Sequence, residues 1–193
     1  AQIIDFDNQA KILQPFTDDH DALERAIHHT EAGGSTSLYN AIYTSLSELK
    51  RIRQETGPDL GRQAIVLLSD GVDTSSSLSF DDVLDMAKRS ETVVYAIGLI
   101  DKDSTKDGWN EAGFVLNSLS RETGGRAYPV IDIRQLPGIY SQIAHEVANQ
   151  YTLAYVSKNT KRDGAWRKIT VQVARGGAMA RTKAGYFGPK GTS

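Results

Sequence analysis

Residues 62–75, RQAIVLLSDGVDTS, decide the fold of this chain. Ala64 to Leu68 form an unbroken apolar run that ends abruptly at Ser69-Asp70-Gly71. A continuous apolar run is typical of a strand that helices cover on both faces of a parallel sheet. Ligands of open α/β sheets bind beyond the carboxyl ends of the strands. Asp70 therefore occupies a position typical of a binding residue, although a turn-forming aspartate is an equal alternative at this stage.

The chain around this run alternates strands and helices. Two short strands are predicted at 2–7 and 10–14, and two helices follow at about 17–29 and 37–55. From the apolar run onward the pattern predicts a helix from Ser79, a strand at 92–100, a polar loop at 101–108, a helix at 109–122, a strand at 126–130 and a helix at 136–147. Such alternation predicts a Rossmann-like α/β fold, with a doubly covered, mostly parallel sheet and right-handed crossovers.

The pattern changes after residue 150. Residues 151–156, 166–174 and 178–186 read as three strands with no helix between them, and the second alternates apolar with polar side chains. These features predict an antiparallel β extension with one solvated face. We therefore divide the chain into an α/β domain at 1–150, a β extension at 151–187 and a tail at 188–193.

Composition excludes several classes of protein. The chain has 193 residues, 39% of them hydrophobic, which suits one soluble globular domain. A net charge of -2 provides no basic field for nucleic acid, and no apolar run is long enough to span a membrane. The absence of cysteine excludes disulfides and thiolate metal sites. The chain opens at Ala1 already reading as a strand, so we expect further sequence upstream.

Residues with catalytic chemistry do not form a recognisable catalytic set. The glycine loop at 33–37 lacks the lysine of a phosphate-binding P-loop. Asp70 and Asp73 are three apart, whereas aspartate-nucleophile phosphatases use a spacing of two. The four histidines have no ligand-like spacing. No nucleophile–base pair is apparent, and the sequence predicts a protein that is not an enzyme.

Several motifs together resemble the von Willebrand factor type A domain. They are GGSTSLYNAI at 33–42, AIVLLSDGVDTSS at 64–76, VVYAIGL at 93–99 and ETGGRAYPV at 122–130. The segments QYTLAYV, DGAWRKITVQV and AGYF also resemble the β tail of bacterial, acidobacterial-type relatives. The resemblance covers nearly the whole chain, and it is the combination of motifs that is specific.

The resemblance implies a metal-ion-dependent adhesion site at the carboxyl edge of the sheet. Thr36 matches the family's second-loop threonine ligand, and Asp70 matches the third-loop aspartate, which usually acts through water. Hydroxyl, carboxylate and water oxygens suit Mg²⁺, with Mn²⁺ or Ca²⁺ as alternatives. In the family, an acidic residue of a partner protein completes the metal shell. The family is often exported in bacteria, so the resemblance implies an extracellular, periplasmic or cell-surface protein.

One departure from the family is serious. The first family motif, Asp-x-Ser-x-Ser, and the central strand before it are absent from this sequence. Thr36 and Asp70 alone would leave most of the metal shell to water, so we expect weak or absent metal binding. The missing strand would lie between the strands at 2–7 and 63–69. We expect an upstream segment or a second chain to supply it, or the two flanking strands to pair directly.

Three functions follow from these observations. The first is a protein-binding or adhesion module that uses a divalent-metal site. The second is an Mg²⁺-dependent phosphoryl-transfer hydrolase that uses Asp70 and Asp73. The third is a structural piece of a secreted protein with a vestigial site.

Overall fold

The computed structural model describes residues 1–31, 33–57, 61–100 and 109–191, without the side chains of residues 109–111. In chain order the elements are β1 (Ile3–Phe6), β2 (Ala10–Gln14), α1 (His20–His28), α2 (Leu38–Thr56), β3 (Ala64–Ser69), α3 (Phe80–Arg89), β4 (Val93–Leu99), α4 (Trp109–Thr123), β5 (Ala127–Val130), a 3₁₀ turn (Ile133–Gln135), α5 (Leu136–Ala148), β6 (Trp166–Lys168) and β7 (Gly185–Phe187). The polar loop predicted at 101–108 lies outside the described residues.

The apolar run that dominates the sequence is β3, the first strand of a parallel sheet ordered β3-β4-β5. Leu67 lies opposite Ala96 of β4, and Ile97 of β4 lies opposite Tyr128 of β5. The predicted parallel α/β architecture is confirmed for these strands. Because all three run in one direction, their carboxyl ends share one edge of the sheet, which includes the turn at Asp70.

Helices pack on both faces of this sheet, although Val66 and Leu68 of β3 stay exposed on one of them, so the predicted coverage of β3 on both faces is incomplete. One face packs against α2, α3 and α4, and its buried core includes Leu38, Leu46, Leu67, Val83, Ala96, Leu116 and Leu119. The other face packs against α5, with Tyr95, Ile97, Tyr128, Val130 and Ile143 buried together. The continuous apolar character of β4 follows from this arrangement, because its residues from Val94 to Gly98 are buried between the helices.

Helix α3 begins where the sequence predicts, with Ser79 as its N-cap. The Ser79 hydroxyl accepts a hydrogen bond from the Asp82 amide, and the Asp82 carboxylate accepts one from the Ser79 amide. This capping box satisfies amides that have no partner within the helix. The hydrogen bonds from Ser79 also hold the pKa of the Asp82 carboxyl below its usual value.

The strands β1 and β2 form a hairpin that is separate from the parallel sheet. They pair with each other in antiparallel fashion, and neither pairs with β3 among the described residues. Phe6 at the end of β1 nevertheless packs against the core that α2 shares with β3. The hairpin and the parallel sheet therefore belong to one packed unit without a continuous ladder between them.

The predicted three-stranded extension is wrong in its extent. β6 and β7 have three residues each and form a two-stranded antiparallel sheet, and residues 151–156 form no strand. Beyond the strands, a backbone hydrogen bond from Ile169 to Ala184 and a bridge between Asp163 and Lys190 continue the pairing briefly. Residues 151–156 pair with no strand, although Tyr155 lies near Tyr186 of β7 with ring centroids 6.3 Å apart.

Side chains rather than a long ladder hold the extension on the domain. Trp166 packs edge-on against Phe187 with ring centroids 4.8 Å apart, and Lys88 of α3 lies 4.1 Å from the Trp166 ring. The guanidinium of Arg89 lies 3.8 Å above Phe187. The Lys183 ammonium donates to the Ser90 carbonyl, and burial lowers its pKa. Trp166 is thus an anchor of the extension, and its contact is with α3.

No helix within the described parts of the chain is both long enough and apolar enough to cross a bilayer.

Gly125 allows the turn before β5 to lie directly against β4. A Cβ at this position would overlap the Val94 carbonyl oxygen, which is backbone and has little freedom to move. We expect Gly125→Ala to lower the free energy of unfolding by about 2–4 kcal/mol in urea denaturation, as overpacking of a core does. Gly138→Ala is the matched control, because nothing lies within 4 Å of that position in α5. The control should raise stability by about 0.5–1 kcal/mol, and equal effects of the two variants would contradict this packing argument.

Trp166 anchors the extension on α3, so removal of the Trp166 side chain should destabilise the protein. We expect Trp166→Ala to cost about 1–3 kcal/mol, the sum of one aromatic pair and one cation–π contact with some buried area. Thermal unfolding by circular dichroism measures the change. Met179→Ala is the control in the same extension, since Met179 is 97% exposed. An unchanged melting temperature for Trp166→Ala would show that the extension is a loose appendage.

Candidate functional site at the carboxyl edge of the sheet

The turn after β3 presents Asp70 to solvent. Gly71 has a φ of 85°, and a Cβ there would lie 2.8 Å from the carbonyl oxygen of Ala112. Glycine is therefore required both for the backbone conformation and for the close approach to α4. The Asp70 Oδ1 accepts a hydrogen bond of 3.1 Å from the Val72 amide, and Asp70 itself is exposed. The turn leaves this carboxylate accessible to a ligand.

Thr36 lies in the loop that touches this turn. Its amide donates to the Thr74 hydroxyl at 2.7 Å, and its carbonyl accepts from the amides of Thr74 and Ser75 at 2.9 and 3.2 Å. Thr74 is four residues beyond Asp70. The structure thus places Thr36 and Asp70 in two hydrogen-bonded loops at the carboxyl edge. Their assignment as metal ligands stays a prediction.

Asp73 has a structural role in the same loops, because it accepts hydrogen bonds at the start of α2. Its Oδ1 accepts hydrogen bonds from the Tyr39 amide at 3.1 Å and from the Ser76 hydroxyl at 2.6 Å, and its Oδ2 accepts from the Ser76 amide at 3.2 Å. The Ser76 hydroxyl in turn accepts from the Asn40 amide at 3.0 Å. The turn after β3 therefore caps α2, whose own N-cap residue, Ser37, makes no side-chain cap. Both oxygens of Asp73 are already used.

The sequence analysis did not find this cap. Helix capping is usually local, with the cap one to three residues before the amides that it serves. Here the sequence separation between Asp73 and Tyr39 is 34 residues. A signal was present, because no Asp or Glu lies in the first turn of α2, so its amides lack a local acidic partner. The spacing of Asp70 and Asp73 was also a clue, since it differs from the spacing of two that aspartate-nucleophile phosphatases use.

The loop at 33–37 also holds the end of the β1–β2 hairpin. The Asn8 side chain accepts from the Ser35 amide at 3.0 Å, and the Asp7 carbonyl accepts from the Ser37 amide at 2.8 Å. The Ser37 hydroxyl is fully buried and has no hydrogen-bond partner among the described residues. A buried polar group without a partner is costly and calls for an explanation.

The donor chemistry of this edge suits a hard cation, but the donor number is small. Asp70 offers a carboxylate and Thr36 a hydroxyl, which are oxygen ligands of the kind that Mg²⁺ prefers. Across the described ranges no three His, Cys, Asp or Glu side chains gather in a way that could hold a metal ion. Asp73 already accepts three hydrogen bonds from Tyr39 and Ser76, one of which caps α2. The described residues alone provide a partial metal site at most.

Comparison with known proteins identifies the relatives of this arrangement. Residues 1–73 match the von Willebrand factor type A domain family. Among solved structures, a von Willebrand factor type A protein from Catenulispora acidiphila superposes with a TM-score of 0.58 at 13% identity over 76% of this chain. The match spans about a third of that protein, 33% of its length.

Two further structures show the same fold. BatB from Bacteroides thetaiotaomicron aligns with a TM-score of 0.55 at 17% identity, over 76% of this chain and 78% of its own. The VWA domain of SpRpn10 aligns with a TM-score of 0.51 at 15% identity, over 79% of this chain and 75% of its own. No curated protein sequence matches this chain significantly. At these identities the structural matches establish the fold alone.

The cap that Asp73 places on α2 predicts a stability effect separate from any ligand. We expect Asp73→Ala to lower the free energy of unfolding by about 1–2 kcal/mol, the range for loss of an N-cap, because the amides of Tyr39 and Ser76 lose their acceptor. Urea denaturation followed by circular dichroism measures the change. Asp18→Ala is the control, since Asp18 is exposed and caps no helix. If both variants unfolded at the same urea concentration, the cap would contribute nothing.

Proposed function

We propose that this chain, a von Willebrand factor type A domain in its fold and, over residues 1–73, in its sequence, is an adhesion-type module that binds a protein ligand at the carboxyl edge of its sheet. Domains of this family are generally interaction modules rather than enzymes. The observation that carries the proposal is the hydrogen bond between Thr36 and Thr74, which joins the loop of Thr36 to the turn on which the Asp70 carboxylate is exposed.

The recognition chemistry that we propose is a divalent cation shared between two proteins. Thr36 and Asp70 would bind Mg²⁺, directly or through water, and an acidic side chain of the partner would complete the octahedral shell. Mn²⁺ or Ca²⁺ could replace Mg²⁺ with the same oxygen ligands. The remaining protein ligands would come from a segment outside the 193 residues, the one that carries the family's first motif. Metal affinity of residues 1–193 by themselves would therefore be low.

The occupied state of Asp73 supports binding over phosphoryl transfer. A nucleophilic carboxylate needs a free oxygen directed at its substrate, with a base or metal to activate the reaction. The Asp73 oxygens accept three hydrogen bonds from Tyr39 and Ser76. A hydrolase that used Asp70 and Asp73 as a pair would have to use a carboxylate that already accepts these three hydrogen bonds. We therefore propose no catalytic activity for this site.

We also propose that the protein acts outside the cytoplasm, in the periplasm or at the surface of a bacterial cell. This follows from the resemblance to exported bacterial type A domains. It is compatible with a chain that contains no cysteine. Adhesion to another protein would then occur in a compartment where Mg²⁺ and Ca²⁺ are available as bridging ions.

Manganese provides a direct test, because Mn²⁺ broadens the NMR signals of nearby nuclei even when binding is weak. We expect Mn²⁺ to broaden the amide signals of residues 35–37 and 70–75 first, and an excess of Mg²⁺ to reverse the effect. Asp70→Asn should remove this selective broadening, since the amide side chain is a much weaker ligand for a hard cation.

Asp132→Asn is the matched control for the metal test. Asp132 follows β5 at the same edge of the sheet, and hydrogen bonds from Arg134 lower the pKa of its carboxyl. That carboxylate is already held by a cation, so the substitution should leave the broadening at 35–37 and 70–75 unchanged. Broadening spread over all surface carboxylates, or insensitive to Asp70→Asn, would reject Asp70 as a ligand and with it the metal-dependent mechanism.

A further inference from the structure

A cleft lies at the amino edge of the parallel sheet, at the end opposite Asp70. It is lined by the last turns of α4, the turn into β5 and two stretches of the extension, residues 169–171 and 180–182. Its volume is about 460 Å³, within the roughly 300–1,000 Å³ of ligand pockets. The loops of Thr36 and Asp70 take no part in it. The cleft is therefore separate from the candidate metal site.

The two arms of the extension stop pairing where the cleft begins. The ladder between β6 and β7 ends with the hydrogen bond from the Ile169 amide to the Ala184 carbonyl. Beyond it, residues 170–171 and 180–182 form no backbone hydrogen bond with each other or with any other described segment. Backbone amides and carbonyls in a folded protein normally have partners. Both arms thus offer unpaired backbone groups to an extended chain between them.

The second arm of the extension is held against the end of α4. The Ala184 amide donates to the Glu122 carbonyl at 3.3 Å, and the Arg181 Nε donates to the Gly124 carbonyl at 3.0 Å. A Cβ on Gly124 would lie 2.7 Å from the backbone nitrogen of Lys183, so the two segments are in close contact. These contacts fix residues 181–184 on the domain instead of on the first arm, and they explain why the ladder stops.

The cleft is positively charged in a chain whose net charge is -2. The charged side chains among its described lining residues are Arg121, Arg126 and Arg181. Arg181 forms an ion pair with Glu146, and Arg121 lies 3.5 Å from the Glu122 carboxylate with 76% of its side chain exposed. Arg126 is exposed and forms an ion pair with no carboxylate in the part of the chain that the structure describes. The cleft therefore has cationic capacity left for an anionic ligand.

The end of α4 leaves a donor rather than acceptors without a partner. The carbonyls of residues 120–122 accept hydrogen bonds from the amides of Gly125, Gly124 and Ala184, at 2.8, 3.2 and 3.3 Å. Satisfied carbonyls weaken the negative end of the helix dipole. The Ser120 hydroxyl, in contrast, is buried and has no partner among the described residues, and Ser120 lines the cleft. Such a group calls for an acceptor, which an anionic ligand would supply.

We propose that this cleft binds an acidic segment of a partner protein in an extended conformation. The main chain of the segment pairs with the free backbone groups of residues 170–171 and 180–182, as in strand addition. Its carboxylates meet Arg121 and Arg126, whose planar guanidinium groups suit carboxylates. Ile169 and the other apolar lining residues contact the side chains between the acidic ones. No described lining residue is aromatic, which disfavours nucleic acid, because single-stranded bases need a stacking surface.

The test measures the fluorescence anisotropy of a labelled hexapeptide of alternating valine and glutamate with the complete 193-residue chain. EDTA is present, so that no bridging metal contributes. A peptide with lysine in place of glutamate tests charge, and the glutamate peptide N-methylated at alternate amides tests backbone pairing. We expect the glutamate peptide to bind roughly tenfold more tightly than either control, and more weakly as the salt concentration rises.

A substitution at the rim of the cleft tests the role of the arginines. We expect Arg126→Ser to weaken binding of the glutamate peptide roughly tenfold, the loss of one charge-assisted hydrogen bond. The melting temperature should not change, because Arg126 is exposed. Arg25→Ser is the matched control, since it removes the same charge from an exposed residue of α1 that does not line the cleft. Equal affinities of the two variants for the peptide would overturn the inference.

Amide NMR shifts locate the bound peptide. We expect titration with the glutamate peptide to shift the amide signals of residues 169–171 and 180–182 first. Shifts at 35–37 and 70–75 instead would place the peptide at the candidate metal site and overturn the inference. Equal competition by free glutamate would also overturn it, because a simple anion makes no backbone pairing. The cleft and the metal site lie at opposite edges of the sheet, so this result is independent of the Mn²⁺ test of the proposed function.

Discussion

The hydrogen bonds between Thr36 and the turn after β3 hold the carboxyl edge of this domain together. One short loop, residues 33–37, forms hydrogen bonds on two sides. On one side its partners are Asp7 and Asn8 of the hairpin, and on the other they are Thr74 and Ser75, which follow β3 of the parallel sheet. The two sheets share no ladder among the described residues, so this loop and α2 carry the mechanical connection between them. The position of Asp70 relative to Thr36 depends on these bonds, and so does any shared ligand.

The sequence predicted the central architecture well, because its signals there are strong and local. The apolar run at 64–68 and the capping box at Ser79 each depend on residues that are close together in the chain. The pairing of the Thr36 and Asp70 loops came from a family resemblance, and spacing alone would not have shown it. What the sequence could not show was the cap of α2 by Asp73, because that contact joins residues far apart in the chain.

The prediction of three strands in the extension was wrong for a different reason. Residues 151–156 have the composition of a strand, but β propensity is satisfied only when a neighbouring strand offers a ladder. The chain places Tyr155 near the Tyr186 ring, with centroids 6.3 Å apart, and gives its backbone no sheet partner. A strand forms only when two segments pair, so the composition of one segment alone predicts more strands than the sheet contains.

The open edge of β3 also has a consequence for how this polypeptide behaves in solution. Unpaired amides and carbonyls along an apolar strand are a template for any other extended chain, including a second copy. Natural proteins protect such edges with lysines, prolines or bulges, yet β3 reads Ala-Ile-Val-Leu-Leu-Ser and has none of these. With no such protection in its own sequence, β3 makes this edge the place where two copies of the domain would associate.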